Sequence, residues 1–393
     1  MFSLTYMPYF FFIGGNPILS RIFIKVSFIL GNLLCAYLVR RFVAGSSSEE
    51  HASHAEKMVL YNPFLILIAS IWGMFDIWMV NFLLLCLLSI RKNNFAMAGI
   101  FYGLSLLVKP IPIIFAPALF VHALNQTGSK ARPFISAGMT TLTFALISLP
   151  FFITCPEGFI NQVVGMHMNR PGGGWSLLSG FGIAGPVSGI ALSVISILLI
   201  ALPIAVDAFQ QRLARNNRES DLLASLFFIF LAFILFNKLV NPQYLVIGVV
   251  MAIALHGIDK HYDFIDESSV ARYCKLSSIP YTLAALLLAH HFTRFIPSDI
   301  SLALVGETSL IPDAYLAPFD LFFAVISAVL ILPASFTALS IIYNALKQKI
   351  LVCRDLIGHA TADIETANRD ARVSGPAKTI TYIREQPASN KDS

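Results

Sequence analysis

Charge is what this chain of 393 residues has least of: only 12% of its residues are Asp, Glu, Lys or Arg, about half the share of an ordinary soluble domain, where roughly 25% is usual. That scarcity excludes a soluble globular fold. A net charge of +5 needs no nucleic-acid partner, because cytoplasmic loops of membrane proteins collect Lys and Arg on their own account. Five cysteines, Cys35, Cys86, Cys155, Cys274 and Cys353, lie scattered with no Cys-x-x-Cys spacing. Neither a disulfide framework nor a zinc site is expected from them. There is no Gly-rich P-loop for a nucleotide, no cofactor motif and no visible internal repeat of the kind that marks inverted-repeat transporters.

Long apolar stretches fill the space. Hydrophobic residues make up 56% of the chain, with 33 Phe and a mean hydropathy of +0.73. Repeated runs of roughly 17–25 apolar residues mark spanning helices. The fold class is therefore all-α: a polytopic membrane protein of about eleven spans, near 18–40, 58–72, 75–90, 95–108, 111–124, 134–153, 183–206, 222–236, 244–257, 276–291 and 318–346. Several are too short to cross about 30 Å as straight helices. A polar loop, GSSSEEHASHAEK, is expected between the first two. Residues 1–346 form the membrane domain, and 347–393 a cytoplasmic tail, helical and then disordered.

Lys and Arg assign the sides. Sixteen, from Arg40 and Arg41 to Lys347, Lys349 and Arg354, fall in one set of loops; Lys109, Arg170, Lys238 and Arg294 fall in the other. The first set is cytoplasmic. The sequon Asn125-Gln126-Thr127 then lies inside and stays unmodified. An odd span count places the N-terminus outside without a signal peptide, which implies a further helix upstream of Met1.

Four polar clusters fall on the extracytoplasmic side: Trp72-Gly73-Met74-Phe75-Asp76, Lys109-Pro110, His167 with Arg170 in GMHMNRPGGGWS, and Asn237-Lys238 with Asn241-Pro242-Gln243-Tyr244. An ionisable group at a helix end in lipid is a functional-site hypothesis by default. Each cluster also has a plainer reading. Asp76 could be a first-turn carboxylate complementing a helix dipole, Lys109 a snorkelling side chain before a helix-breaking proline, the His167–Ser176 segment a surface loop, and Pro242 the first residue of the next helix. Taken together they describe three cations, one carboxylate and several amides beside lipid. Arg offers a planar fork to phosphate oxygens, and Gly-rich backbone can approach an anion. A lipid-phosphate-linked sugar meets that chemistry.

The stretch NPFLILIASIWGMFDIWMVNFLLLCLL…AGIFYGLSLLVKPIPIIFAPALF resembles the core of the GT-C polytopic glycosyltransferases, among them the polyprenol-phosphate-mannose-dependent mannosyltransferases and the catalytic subunit of the first GPI mannosyltransferase. The matching elements are Asn62-Pro63, Gly73…Asp76, Gly103, Lys109-Pro110, then His167, Arg170 and Ser176, then Asn237-Lys238…Gln243-Tyr244, with Tyr6-Met7-Pro8 upstream. The resemblance covers roughly residues 5–255. It implies inverting transfer of a hexose, most often mannose, from a polyprenol-phosphate sugar to a hydroxyl of a glycan or glycolipid acceptor, within membrane lipid and without metal or cofactor. Arg170, Lys238 and Lys109 would then hold the donor phosphate. His167, Asn237, Gln243 and Tyr244 would contact sugar or acceptor hydroxyls, and Asp76 would support catalysis. The family's catalytic Asp sits on an outer loop ahead of the Tyr-Pro element, which has no counterpart here. Two other readings stay open: a non-catalytic membrane subunit or pseudoenzyme, and a lipid or solute transporter, for which Asp207 facing inward along its helix would speak. The plasma membrane is preferred over the endoplasmic reticulum.

Overall fold

A computed structural model describes residues 17–127, 131–161, 173–174, 186–214, 219–237, 239–258, 265–293, 325–327 and 329–354. Among these residues the regular structure is helical except for one two-residue parallel pairing. The helices are α1 (Pro17–Ala44), α2 (Glu49–Leu60), α3 (Pro63–Ile71), α4 (Asp76–Arg91), α5 (Phe95–Val108), α6 (Ala116–Thr127), α7 (Ala131–Thr154), α8 (Pro156–Ile160), α9 (Pro186–Ala214), α10 (Glu219–Phe236), α11 (Leu245–His256), α12 (Glu267–Leu276), α13 (Ile279–Thr293) and α14 (Val325–Arg354). Short 3₁₀ turns, Ile111–Phe115 and Pro242–Tyr244, lead into α6 and α11.

Four helices are long and apolar enough to cross a membrane singly: Lys25–Ala44 within α1, α7, Val194–Gln211 within α9, and α14. The pair α3 and α4 passes that test only together and is bent by 114° at its break. Phe95–Val108, Ile111–Gln126, Asp221–Phe236 and Pro242–His256 are apolar but shorter. The chain is thus an all-helical, multi-pass membrane protein, with fewer full-length spans among the described residues than the eleven expected. Many large apolar side chains remain exposed along α1, α7, α9 and α14. In water such patches would be a liability; against acyl chains they are the expected surface.

The segment expected as a polar loop after α1 is instead the amphipathic helix α2. Ser48 caps it, its side chain accepting from the His51 backbone N–H, and Glu49 and Glu50 occupy the first turn. A serine cap with acids behind it starts a helix. Ala52, Ala55 and Val59, three or four apart, form its buried face, and Arg40 at the end of α1 pairs with Glu49 and Glu56. Similarly, the span expected to begin at 276 is preceded by α12, capped by Asp266, whose carboxylate accepts from the Ser269 N–H at 3.0 Å.

Close helix contacts use small residues. At Gly99 on α5 a Cβ would stand 2.2 Å from the Ser136 carbonyl oxygen of α7, and at Gly103, one turn on, 2.9 Å from the Thr143 Cβ. The Thr140 hydroxyl donates to the Gly99 carbonyl at 3.1 Å. Backbones this close gain dispersion contacts that lipid cannot replace. Polar side chains fasten other helices to backbone: Asn81 donates to the Gly31 carbonyl at 2.8 Å and Ser105 to that of Met79 at 2.9 Å.

At the other end of the bundle lies a fully buried ion pair. Lys349 Nζ of α14 is 2.7 Å from Asp207 Oδ1 of α9 and donates to Gln210 Oε1 at 2.9 Å. Gln211 donates to Asp207 Oδ2 at 2.6 Å, and Asn125 of α6 to the Gln211 carbonyl at 2.7 Å. Asp207 does face inward. Helix α14 runs on to Arg354, past the boundary drawn at 346, and Lys349 is inside the bundle.

Candidate functional site

The turn between α3 and α4 positions the first candidate side chain. Asn62 caps α3, its Oδ1 accepting from Phe64 and Leu65 N–H groups at 3.0 and 3.2 Å, with Pro63 at the first position. The end of α3 widens into π-helical turns, Trp72 N–H reaching the Leu67 carbonyl at 2.7 Å. Gly73 then adopts φ +79°, a left-handed conformation that costs an L side chain about 1–2 kcal/mol. This reversal places Asp76 in the first turn of α4, where a carboxylate also meets the positive end of the helix dipole.

Lys109 comes from the end of α5. It is extended, at φ −158° and ψ 139°, as the residue before a proline must tend to be. Pro110 stops α5, and the Tyr102 hydroxyl fixes the break by donating to the Pro112 carbonyl at 2.7 Å. The two ends meet: Lys109 Nζ lies 2.6 Å from Asp76 Oδ1. The Asp76 side chain is completely buried and that of Lys109 is 12% exposed. Asp76 Oδ2 is buried without a hydrogen-bond partner among the described residues. Two rings flank the ammonium, with Phe75 centred 5.4 Å and Tyr244 4.3 Å from Nζ. Tyr244 ends the 3₁₀ turn Pro242–Tyr244 at the start of α11.

The expected clusters around Asp76, Lys109 and Tyr244 are therefore brought together, from three elements far apart in sequence. A backbone bridge brings a fourth toward them. Gly173 and Gly174 of the Gly-rich loop pair in parallel with Leu239 and Val240, just ahead of the Asn241-Pro242-Gln243-Tyr244 turn. Asn237 and Gln243 are half-buried on either side of that bridge and turn. His167, Arg170, Ser176 and Lys238 lie outside the described residues.

Such an arrangement can hold one cation at a fixed point at a bundle end, next to a turn rich in amides and a Gly-rich strand. It carries no group of three or more His, Cys, Asp or Glu suited to a metal among the described residues. Burial and the ion pair hold Asp76 away from solvent, a placement unlike that of a base which must reach an incoming hydroxyl. Phe75, whose ring forms the second wall, was not singled out in the sequence as a cation partner. A Phe beside an acid in an apolar run gives no signal until the turn is folded.

Residues 17–167 match the ALG6, ALG8 glycosyltransferase family. This stretch holds Asn62-Pro63, Gly73, Asp76, Gly103 and Lys109-Pro110. Over 238 residues the chain is 25% identical to GPI mannosyltransferase 1 of Saccharomyces cerevisiae, a similarity covering 56% of this chain and 57% of that protein. The chain thus spans a little over half the length of that relative. No solved structure matches.

Proposed function

We propose that the chain, which is similar to membrane glycosyltransferases over residues 17–167 and beyond, moves a hexose, mannose by preference, from a polyprenol-phosphate sugar to a hydroxyl of a glycan or glycolipid acceptor on the extracytoplasmic face. The observation that carries this reading is the meeting of Asp76, Lys109 and Tyr244 at one bundle end, beside a turn tied to the Gly-rich loop. In the reaction an acceptor oxygen attacks the anomeric carbon, the bond from that carbon to the phosphate oxygen breaks, and the lipid phosphate leaves with the electron pair. The acceptor's proton goes to a carboxylate, a part that the resemblance gives to an outer-loop Asp ahead of the Tyr-Pro element and not to Asp76, which is buried against Lys109. Cations placed where the phosphate gathers charge lower the barrier. Arg170, Lys238 and Lys109 have that part in this reading. His167, Asn237 and Gln243 recognise hydroxyls, and Asp76 supports Lys109. Either a mannosyl or a glucosyl donor is compatible with the families matched. The preference for the plasma membrane gains no support, and a relative named for GPI mannosylation in yeast argues for an internal eukaryotic membrane.

Transfer from a synthetic polyprenyl-phosphate mannose, measured on the purified full chain, tests the assignment. Arg170→Ala and Lys238→Ala should each lower transfer by about 10²–10³-fold, as loss of one charge-stabilising donor does, with expression unchanged. Native-level transfer in both would remove these residues from the site.

One observation favours transport, the inward-facing Asp207. It is fully paired with Lys349, however, and Gln211 occupies its second oxygen. A carboxylate satisfied on both oxygens by protein is built for holding helices together, not for binding a passing ion or proton.

A further inference from the structure

Tyr244 reads in the sequence as a ligand for hydroxyl groups, yet its surroundings suit a different task. It is only 6% exposed. Its hydroxyl accepts a long hydrogen bond, 3.4 Å, from Asn241 Nδ2 within its own turn, and its ring tilts against Phe233 at 6.4 Å. Its ring face lies 4.3 Å from the Lys109 ammonium. Asp76 Oδ1 takes the same ammonium from another direction at 2.6 Å, and Phe75 adds a wall.

We propose that Tyr244 and Asp76 are positioning residues that clamp the Lys109 ammonium in one place, and that Tyr244 does so through its ring and not its hydroxyl. This deepens the reading of Lys109 as a ligand of the donor phosphate and rests on it. A lysine is a point charge on a flexible stem with many rotamers. A cation free to wander contributes little preorganised stabilisation where charge develops. The negative face of an aromatic ring and a carboxylate together restrict it, in a side chain that keeps 12% of its surface exposed. The clamp also joins α4, α5 and the start of α11, so the position of the cation follows the position of the turn that the Gly-rich loop pairs with.

The test uses the full chain in lipid nanodiscs as native protein and as Tyr244→Phe, Tyr244→Leu, Asp76→Asn, Lys109→Met and Tyr244→Leu/Lys109→Met. The first readout is the rate at which an N-hydroxysuccinimide ester acetylates Lys109, followed by mass spectrometry. Tyr244→Phe should stay within about twofold of native. Tyr244→Leu and Asp76→Asn should speed acetylation about fivefold or more, the scale of a lost cation–π or ionic contact of about 1 kcal/mol. The second readout is the Kd for a short-chain polyprenyl phosphate. Tyr244→Leu should weaken binding about fivefold, Tyr244→Phe within about twofold of native, and the double variant no further than Lys109→Met alone. A Tyr244→Phe variant that behaves like Tyr244→Leu, or a double variant weaker than Lys109→Met, would overturn the clamp, because Tyr244 would then act through its hydroxyl or on the ligand directly. Native protein that ignores polyprenyl phosphate while the acetylation pattern holds would defeat the phosphate reading and leave the clamp standing.

Discussion

Asp76 illustrates how one residue answers two readings at once. The plain reading, a first-turn carboxylate at a helix start, describes its place; the ion pair with Lys109 describes what its carboxylate holds. Each charge alone at this depth opposes insertion, whereas the hydrogen-bonded pair is nearly neutral. Removing one partner strands the other. Asp76→Asn and Lys109→Met should each destabilise the detergent-solubilised protein by about 3–5 kcal/mol, the usual penalty for an orphaned buried charge. The double variant should cost much less than their sum. Thermal unfolding of the four proteins measures this, and additive losses would mean that the pair is not coupled. The pairing could be anticipated only in part. Both residues stand out in an apolar sequence, but the distance between them depends on Gly73 reversing the chain and on Pro110 ending α5 at the right level.

Among the helices, composition was a sound guide to the apolar elements and a poor one to the amphipathic ones. The apolar runs at 95–108 and 222–236 appear as α5 and α10 with almost the same ends. The loop expected after α1 is α2, because a Ser48 cap and an apolar face at 52, 55 and 59 outweigh a polar average. Helix packing was less legible still. Gly99 and Gly103 sit four apart on α5, a spacing that permits close approach, yet only the folded pair reveals α7 as the partner. Gly99→Ile should drive α5 and α7 apart, since its Cβ would start 2.2 Å from a backbone oxygen. Disulfide trapping between cysteines placed on the two helices should fall sharply. Gly138→Ile, where nothing lies within 4 Å of a new Cβ, should leave trapping intact. Equal loss in both would point to a general effect of a bulky residue and away from this contact.

For the molecule as a whole, two polar sites at opposite ends of the bundle do different work. One, around Lys109, is partly open and gathers three separate elements. The other, Asp207 with Lys349, is closed and joins helices 142 positions apart in sequence. The closed pair ties α14 to α9, and a role in setting how α14 docks predicts the outcome of exchanging the two charges. Asp207→Lys or Lys349→Asp alone should lower the yield of folded, monodisperse protein strongly. The combined exchange should restore part of it, as judged by size-exclusion chromatography. No recovery would mean that the surrounding amides of Gln210 and Gln211 impose the polarity, and that the pair is not interchangeable.

Membrane class, helical content and the list of unusual polar residues are settled by composition and order alone. The solvent here is lipid, and a backbone in lipid has few choices but helix. The distances between those residues are not so settled. They depend on a 114° bend at the break between α3 and α4 that carries Gly73, on which helix face meets which, and on Lys349 finding Asp207. Such choices are made among helices of nearly equal hydrophobicity. Only packing complementarity and a few buried polar contacts separate one arrangement from another, and these exist only once the bundle has formed.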